Sequence, residues 1–156
     1  MTRIIENPNI MAMMNTIAVT EGTDNGKQNT ADSGYDVLVG GTLFYSYADH
    51  PNVLVKLNAK LSSTAAGRYQ ILYKYWTHYK DLLKLPDFGP ISQDKYCIQQ
   101  FKERGAIQLI KDGKFDDAIR RINNIWASLP ESPYGQHTFS MDEAKNIYLS
   151  KGGTLQ

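Results

Sequence analysis

The chain has 156 residues, which suits one compact domain with a single substantial core. Seventeen Lys and Arg against sixteen Asp and Glu leave a formal charge of +1, so no strong field marks nucleic acid as a partner, although a local basic patch stays open. Cys97 is the only cysteine, so an internal disulfide is excluded and the thiol reads as a small buried apolar residue.

In chain order, Asn7-Pro8 reads as an N-cap followed by proline at the first helical position. Met11, Met14, Ile17 and Ala18 then recur at helical spacing, and Gly22 supplies a left-handed stop. Glu21 is thereby placed at the end of the first helix. A polar stretch from Asn25 to Ser33 reads as a loop. The β-favouring runs Tyr35–Val39, Thr42–Tyr47 and Val53–Val55, with a turn at Gly40-Gly41, predict a small antiparallel sheet. A helix from near Ala66 to before Pro86 would carry Leu72, Tyr75, Trp76, Tyr79, Leu82 and Leu83 on one face. Ser92 can cap another helix with Tyr96, Cys97, Phe101 and Arg104, and Ala106 to Ile110 follows as a short one. The stripe Phe115, Ala118, Ile119, Ile122, Ile125, Trp126 and Leu129 predicts a helix broken by Pro130 and Pro133. The capping box Ser140-Met141-Asp142-Glu143 opens a last helix that Gly152-Gly153 closes. With no repeat or linker to divide it, residues 1–156 read as one α+β domain, rich in helix, with its sheet in the first third.

Several chemistries lack support. His50, His78 and His137 lie far apart with no metal-ligand spacing, so no metal is expected; no phosphate-binding glycine loop or nucleophile elbow occurs, and no cofactor is implied. Carboxylates remain. The partial negative charge at a helix C-terminus disfavours an ionised acid, so Glu21 is a candidate for a raised pKa and for general-acid chemistry on a sugar linkage. The alternative is a solvated surface glutamate. Ten tyrosines and many amides suit a glycan, because sugars present both hydroxyls and apolar ring faces. Ser63 to Gln70 puts small residues before Tyr69 and Gln70; a plain helix start with Arg68 and Gln70 on its solvated side is the competing reading.

The motifs Thr20-Glu21-Gly22-Thr23-Asp24-Asn25-Gly26, Gly34-Tyr35-Asp36-Val37-Leu38-Val39-Gly40-Gly41, Asp49-His50-Pro51, Ala66-Gly67-Arg68-Tyr69-Gln70, Lys102-Glu103-Arg104-Gly105-Ala106, Asn124-Ile125-Trp126-Ala127-Ser128-Leu129-Pro130 and Tyr134-Gly135-Gln136 occur in this order. Together the series resembles the lambda-type phage endolysins from about residue 10 to Gly152-Gly153-Thr154. The resemblance implies a lysozyme-like fold and lytic transglycosylase activity on bacterial peptidoglycan, cutting the MurNAc-GlcNAc β-1,4 linkage with formation of 1,6-anhydro-MurNAc during phage release. It implies that Glu21 is the catalytic acid and that two mobile lips, at about residues 52 to 62 and 130 to 140, border a saccharide groove. Tyr134 and Gln136 would lie on a lip, and Tyr69, Gln70 and Asp36 join them as substrate contacts. Thr20 stands where the family has serine, and Ala65 where it has glycine. The first nine residues and the end at Gln156 match poorly.

In the implied mechanism Glu21 protonates the glycosidic oxygen and then takes the proton of the muramoyl C6 hydroxyl, whose intramolecular attack replaces water. A hydrolytic muramidase would need a second carboxylate or a held water, for which Asp24 and Asp36 are the rivals, as a turn-capping residue and a sheet-edge or supporting residue otherwise. A glycan-binding protein without catalysis is the third hypothesis. With no export signal or continuous spanning segment in view, the expectation is accumulation in the host cytoplasm, no stable membrane insertion, holin-dependent access to periplasmic peptidoglycan, and action as a monomer.

Overall fold

The computed structural model describes residues 1–134 and 138–156. Among them are six α-helices and one two-stranded antiparallel sheet, in the order α1 (Pro8–Thr20), β1 (Val55–Asn58), β2 (Leu61–Ser63), α2 (Tyr73–Leu83), α3 (Pro90–Glu103), α4 (Ile107–Lys111), α5 (Phe115–Ile122) and α6 (Met141–Ser150). No helix among the described residues is long and apolar enough to cross a membrane.

Helix α1 is the central element. The Asn7 side chain accepts hydrogen bonds from Asn9 N and Ile10 N, satisfying amides that the first turn leaves orphaned. Its apolar residues are buried almost all round, Ile10, Met13, Met14 and Ile17 among them, because α4 and α6 pack against it. The end is a Schellman motif: Gly22, at φ +80°, donates to Val19 O, and Thr23 N donates to Ala18 O at 3.0 Å.

The sheet lies further along the chain than its sequence suggests. Tyr35 to Tyr47 forms no strand; it folds as a compact loop with isolated bridges from Val37 to Leu43 and from Leu38 to Ala66. Left-handed Gly34, Gly40 and Gly41 interrupt the extended backbone, while Tyr35, Val37, Leu38 and Phe44 still enter the core. The hairpin instead joins Val55–Asn58 to Leu61–Ser63, turning where Lys60 N donates to Asn58 Oδ1 at 2.8 Å. It spans the first proposed lip, and Leu57 and Leu61 on it are exposed.

The helices shift in similar ways. α2 begins at Tyr73, not Ala66, because Gly67 (φ +83°) and Gln70 (φ +52°) adopt left-handed conformations that no helix start can contain. Its Trp76 and Tyr79 are buried, whereas Tyr75 and Leu82 of the same stripe face solvent. α3 starts at Pro90, after Gly89, so Ser92 is an interior residue whose hydroxyl donates to Asp87 Oδ1 rather than a cap. α5 ends at Ile122. Beyond it Asn123 Nδ2 donates to Pro130 O and closes a loop, from which Trp126 and Leu129 still point inward. The capping box at Ser140 and Glu143 forms as the sequence predicts.

Candidate active site

The Schellman turn fixes Glu21 as the C-cap of α1, half-buried at the edge of the core. The Ser128 hydroxyl donates to Glu21 Oε2 across 107 residues of sequence. Loss of water around the carboxyl raises its pKa from 4.5 to about 7, while hydrogen bonds from the Ser128 side chain and backbone pull the other way. Burial, rather than the helix end invoked from sequence, is therefore the main cause. A carboxyl poised near neutrality can both give and take a proton.

The turn that carries Glu21 is clamped to the Ala66–Gln70 segment. Thr23 Oγ1 donates to Arg68 O at 2.6 Å, and Arg68 Nη1 donates to Asp24 Oδ2 at the same distance. Arg68 is 1% exposed, so the solvated position read from sequence is corrected: its Nη2 donates to Asn15 Oδ1, and Tyr35 and Tyr69 rings flank its guanidinium. Burial would lower the arginine pKa, but the neighbouring tyrosines and Asp24 outweigh it and raise the value. Asp24 is held below the ordinary carboxylate range: burial opposes this, and the Arg68 hydrogen bond and charge prevail, aided by the N-terminal ammonium. It lines a separate cavity of about 200 Å³ with Met1, Asn15, Arg68, Ser150 and Lys151.

A cleft of about 300 Å³ runs between α2, α3 and the loop after α5. Gln70, Tyr75, Asn124, Ile125, Trp126 and Tyr134 are part of its wall. Trp126 in this wall lies two residues before Ser128, so the same loop serves the cleft and the Glu21 carboxyl. Trp126 Nε1 donates to Tyr69 O at 2.9 Å and locks the two cleft-forming motifs together. Gln70 Nε2 donates to Val37 O and Gly67 O, which leaves its amide oxygen without a protein partner among the described residues. Tyr134, half-exposed, donates its hydroxyl to Asn124 O.

Two of the expected contacts sit deeper. Tyr69 is among the residues lining the cleft, yet its side chain is buried, its hydroxyl donating to Asp94 Oδ1 at 2.6 Å and its pKa pushed well above 10 by burial and by the charges around it. Asp36 is 6% exposed and accepts from Thr30 Oγ1 and Ala31 N, closing the loop that precedes it. Gln136 lies outside the described residues. Two groups escaped sequence reading altogether. Ser128 carries no signal that distinguishes it from a helix-end serine. Asp94, 0% exposed inside α3, accepts hydrogen bonds from Tyr35 Oη, Tyr69 Oη, Arg3 N and Ile4 N. The motif Asp49-His50-Pro51 is structural: buried His50 faces Ile71 O through Nε2 and accepts from Asn52 N at Nδ1, and burial lowers its pKa. Among the described residues no group of three or more His, Cys, Asp or Glu is placed to hold a metal ion.

One desolvated acid beside an aromatic, amide-lined cleft, on a helix-rich α+β scaffold with a small hairpin, describes an enzyme of lysozyme-like fold. Bacteriophage lambda lysozyme, solved in complex with a chitohexasaccharide, superposes with a TM-score of 0.95 at 48% identity, covering 99% of this chain and all of that one; a second lambda lysozyme structure gives 0.92 at 47%. The endolysin of Escherichia phage lambda is 50% identical over 93% of this chain and 92% of its own, and that of Escherichia phage P2 is 43% identical over 93% of each. The endolysin family profile matches residues 11–155, and the chain belongs to that family of peptidoglycan-degrading phage enzymes.

Proposed function

We propose that this endolysin is a lytic transglycosylase that cuts the MurNAc-GlcNAc β-1,4 linkage and leaves a 1,6-anhydro-MurNAc end, with Glu21 as its only catalytic carboxyl. The observation that carries this reading is the state of the three acids. Glu21 is raised to about 7, whereas Asp24 is bound to Arg68 and opens on another cavity, and Asp36 is spent on Thr30 and Ala31. With both aspartates engaged in structural contacts, Glu21 is the carboxyl best suited to proton transfer, which supports a reaction that uses one acid.

The reaction then needs no external water. Protonated Glu21 gives its proton to the leaving oxygen as the bond from C1 breaks. The C6 hydroxyl of the same muramoyl residue attacks C1, and its proton returns to Glu21, so the acid is regenerated in one turnover. Ser128 holds the carboxyl in place through both transfers. Gln70, Tyr134 and Gln136 are the proposed glycan contacts, with Tyr69 and Asp36 supporting the groove from beneath. Crossing the inner membrane would depend on a holin, and the enzyme would act as a monomer on an extended strand.

Digestion of purified, unsubstituted glycan strands followed by mass spectrometry tests this. Products ending in 1,6-anhydro-MurNAc are expected. Reducing MurNAc ends as the main product would establish a hydrolytic muramidase instead, and bound but uncut strands a binding protein.

A further inference from the structure

The α3 end of the cleft has a chemistry that a neutral saccharide does not call for. Helix α3 presents Tyr96 and Gln100 at i and i+4, and its C-cap Arg104 follows at i+8, so all three contribute to the cleft wall. Gln100 is 4% exposed, yet its Nε2 has no hydrogen-bond partner. The Tyr79 hydroxyl beside it donates to Glu103 Oε1 at 2.7 Å and still accepts weakly from the Gln100 side chain, which opposes the rise of its pKa but falls short of a full hydrogen bond. An amide donor at that depth without a well-formed hydrogen bond stays under-satisfied unless a ligand accepts from it. One turn further out stands Arg104, exposed and in no ion pair among the described residues. Its sequence neighbour Glu103 is engaged by Tyr79 and by Gln99 Nε2, and it does not line the cleft. Tyr75 and Tyr79 complete the walls.

A buried amide donor leading to an unpaired guanidinium, between tyrosine rings, fits an acceptor-rich anion. We propose that this end of the cleft is a subsite for a carboxylate borne on the muramoyl side group of the strand, with Gln100 and Arg104 as its donors. The proposal rests on peptidoglycan as substrate. Two carboxylates share this chemistry: those of the peptide stem, and the lactyl carboxylate that is exposed when the stem has been removed. Such a subsite would make Arg104 a specificity residue that separates bacterial wall from uncharged chitin-like polymer.

Three substrates separate the outcomes: soluble strands with intact stems, strands stripped of stems by an amidase, and neutral chitohexaose. Arg104→Gln should lower kcat/KM about tenfold, the scale of one charge-assisted contact, on the strand that bears the recognised carboxylate, and leave the affinity for chitohexaose measured by calorimetry unchanged. Gln100→Met, which keeps the buried volume but removes the donor, should follow the same pattern. Loss confined to intact strands identifies a stem carboxylate; loss confined to stripped strands identifies the lactyl group. An equal loss of chitohexaose binding, or no loss on either carboxylate-bearing strand, overturns the proposal. Wild-type enzyme that cuts none of the strands would refute the catalytic reading, while binding of the three ligands still tests the subsite.

Discussion

In the proposed mechanism Glu21 and Ser128 form the smallest unit on which activity depends. A carboxyl whose folded-state pKa is raised stabilises the protein in its protonated form. That contribution is fully present below the unfolded value near 4.5 and is lost as pH rises through about 7. Glutamine at position 21 cannot ionise, so the melting temperature of Glu21→Gln relative to wild type should climb between about pH 5 and about pH 8. The same variant should lose cleavage by about a hundred-fold to ten-thousand-fold, the usual share of general acid–base catalysis. In the wild type, kcat/KM should fall as pH passes through about 7, because the first step needs the protonated acid. A flat stability difference across this range would show that the carboxyl is not desolvated in solution.

At the scale of the element, the turn ending α1 decides where that acid points. Gly22 holds φ +80°, and a Cβ built on it would meet only Asn25 Nδ2 at 4.0 Å, so nothing blocks a side chain there except backbone strain. Gly22→Ala should therefore cost about 1 kcal/mol in urea denaturation, with activity reduced beyond that cost because Glu21 is displaced. Gly67 differs. Its Cβ would run into Gln93 Oε1, so the same change there adds a collision to the strain and should destabilise the protein more.

Across the whole molecule, Arg68 and Asp94 join segments far apart in sequence. Arg68 ties Asn15 on α1 and Asp24 and Ser33 in the loop after it to the cleft floor. Asp94 receives Tyr35, Tyr69 and the backbone of residues 3 and 4. The first residues, which match the family poorly, thus act as a strap: Met1 reaches Asp24, and Thr2 N donates to Asn15 Oδ1. Arg68→Met should lose about 3–5 kcal/mol, read as a lowered urea midpoint, because it leaves polar partners buried without their donor. Lysine should not rescue it, since one ammonium cannot reproduce the forked geometry that serves Asp24 and Asn15 together.

What the sequence determined by itself was local or linear. Asn7, Gly22 and the Ser140 box set helix ends through contacts within a turn, and the long motif series carried the family and the acid. Tertiary structure alone decided the rest. The Tyr35–Tyr47 run has strand-forming residues, but strands require a partner, and left-handed glycines deny it one. The stripe from Phe115 to Leu129 keeps helical spacing after the helix has stopped, since spacing records burial and not hydrogen bonding. Ser128 meets Glu21, and Gln100 and Arg104 face an open cleft, only once residues a hundred positions apart are folded together. The raised pKa of Glu21 belongs to that same class: it comes from the removal of water, which no single segment of the chain can accomplish.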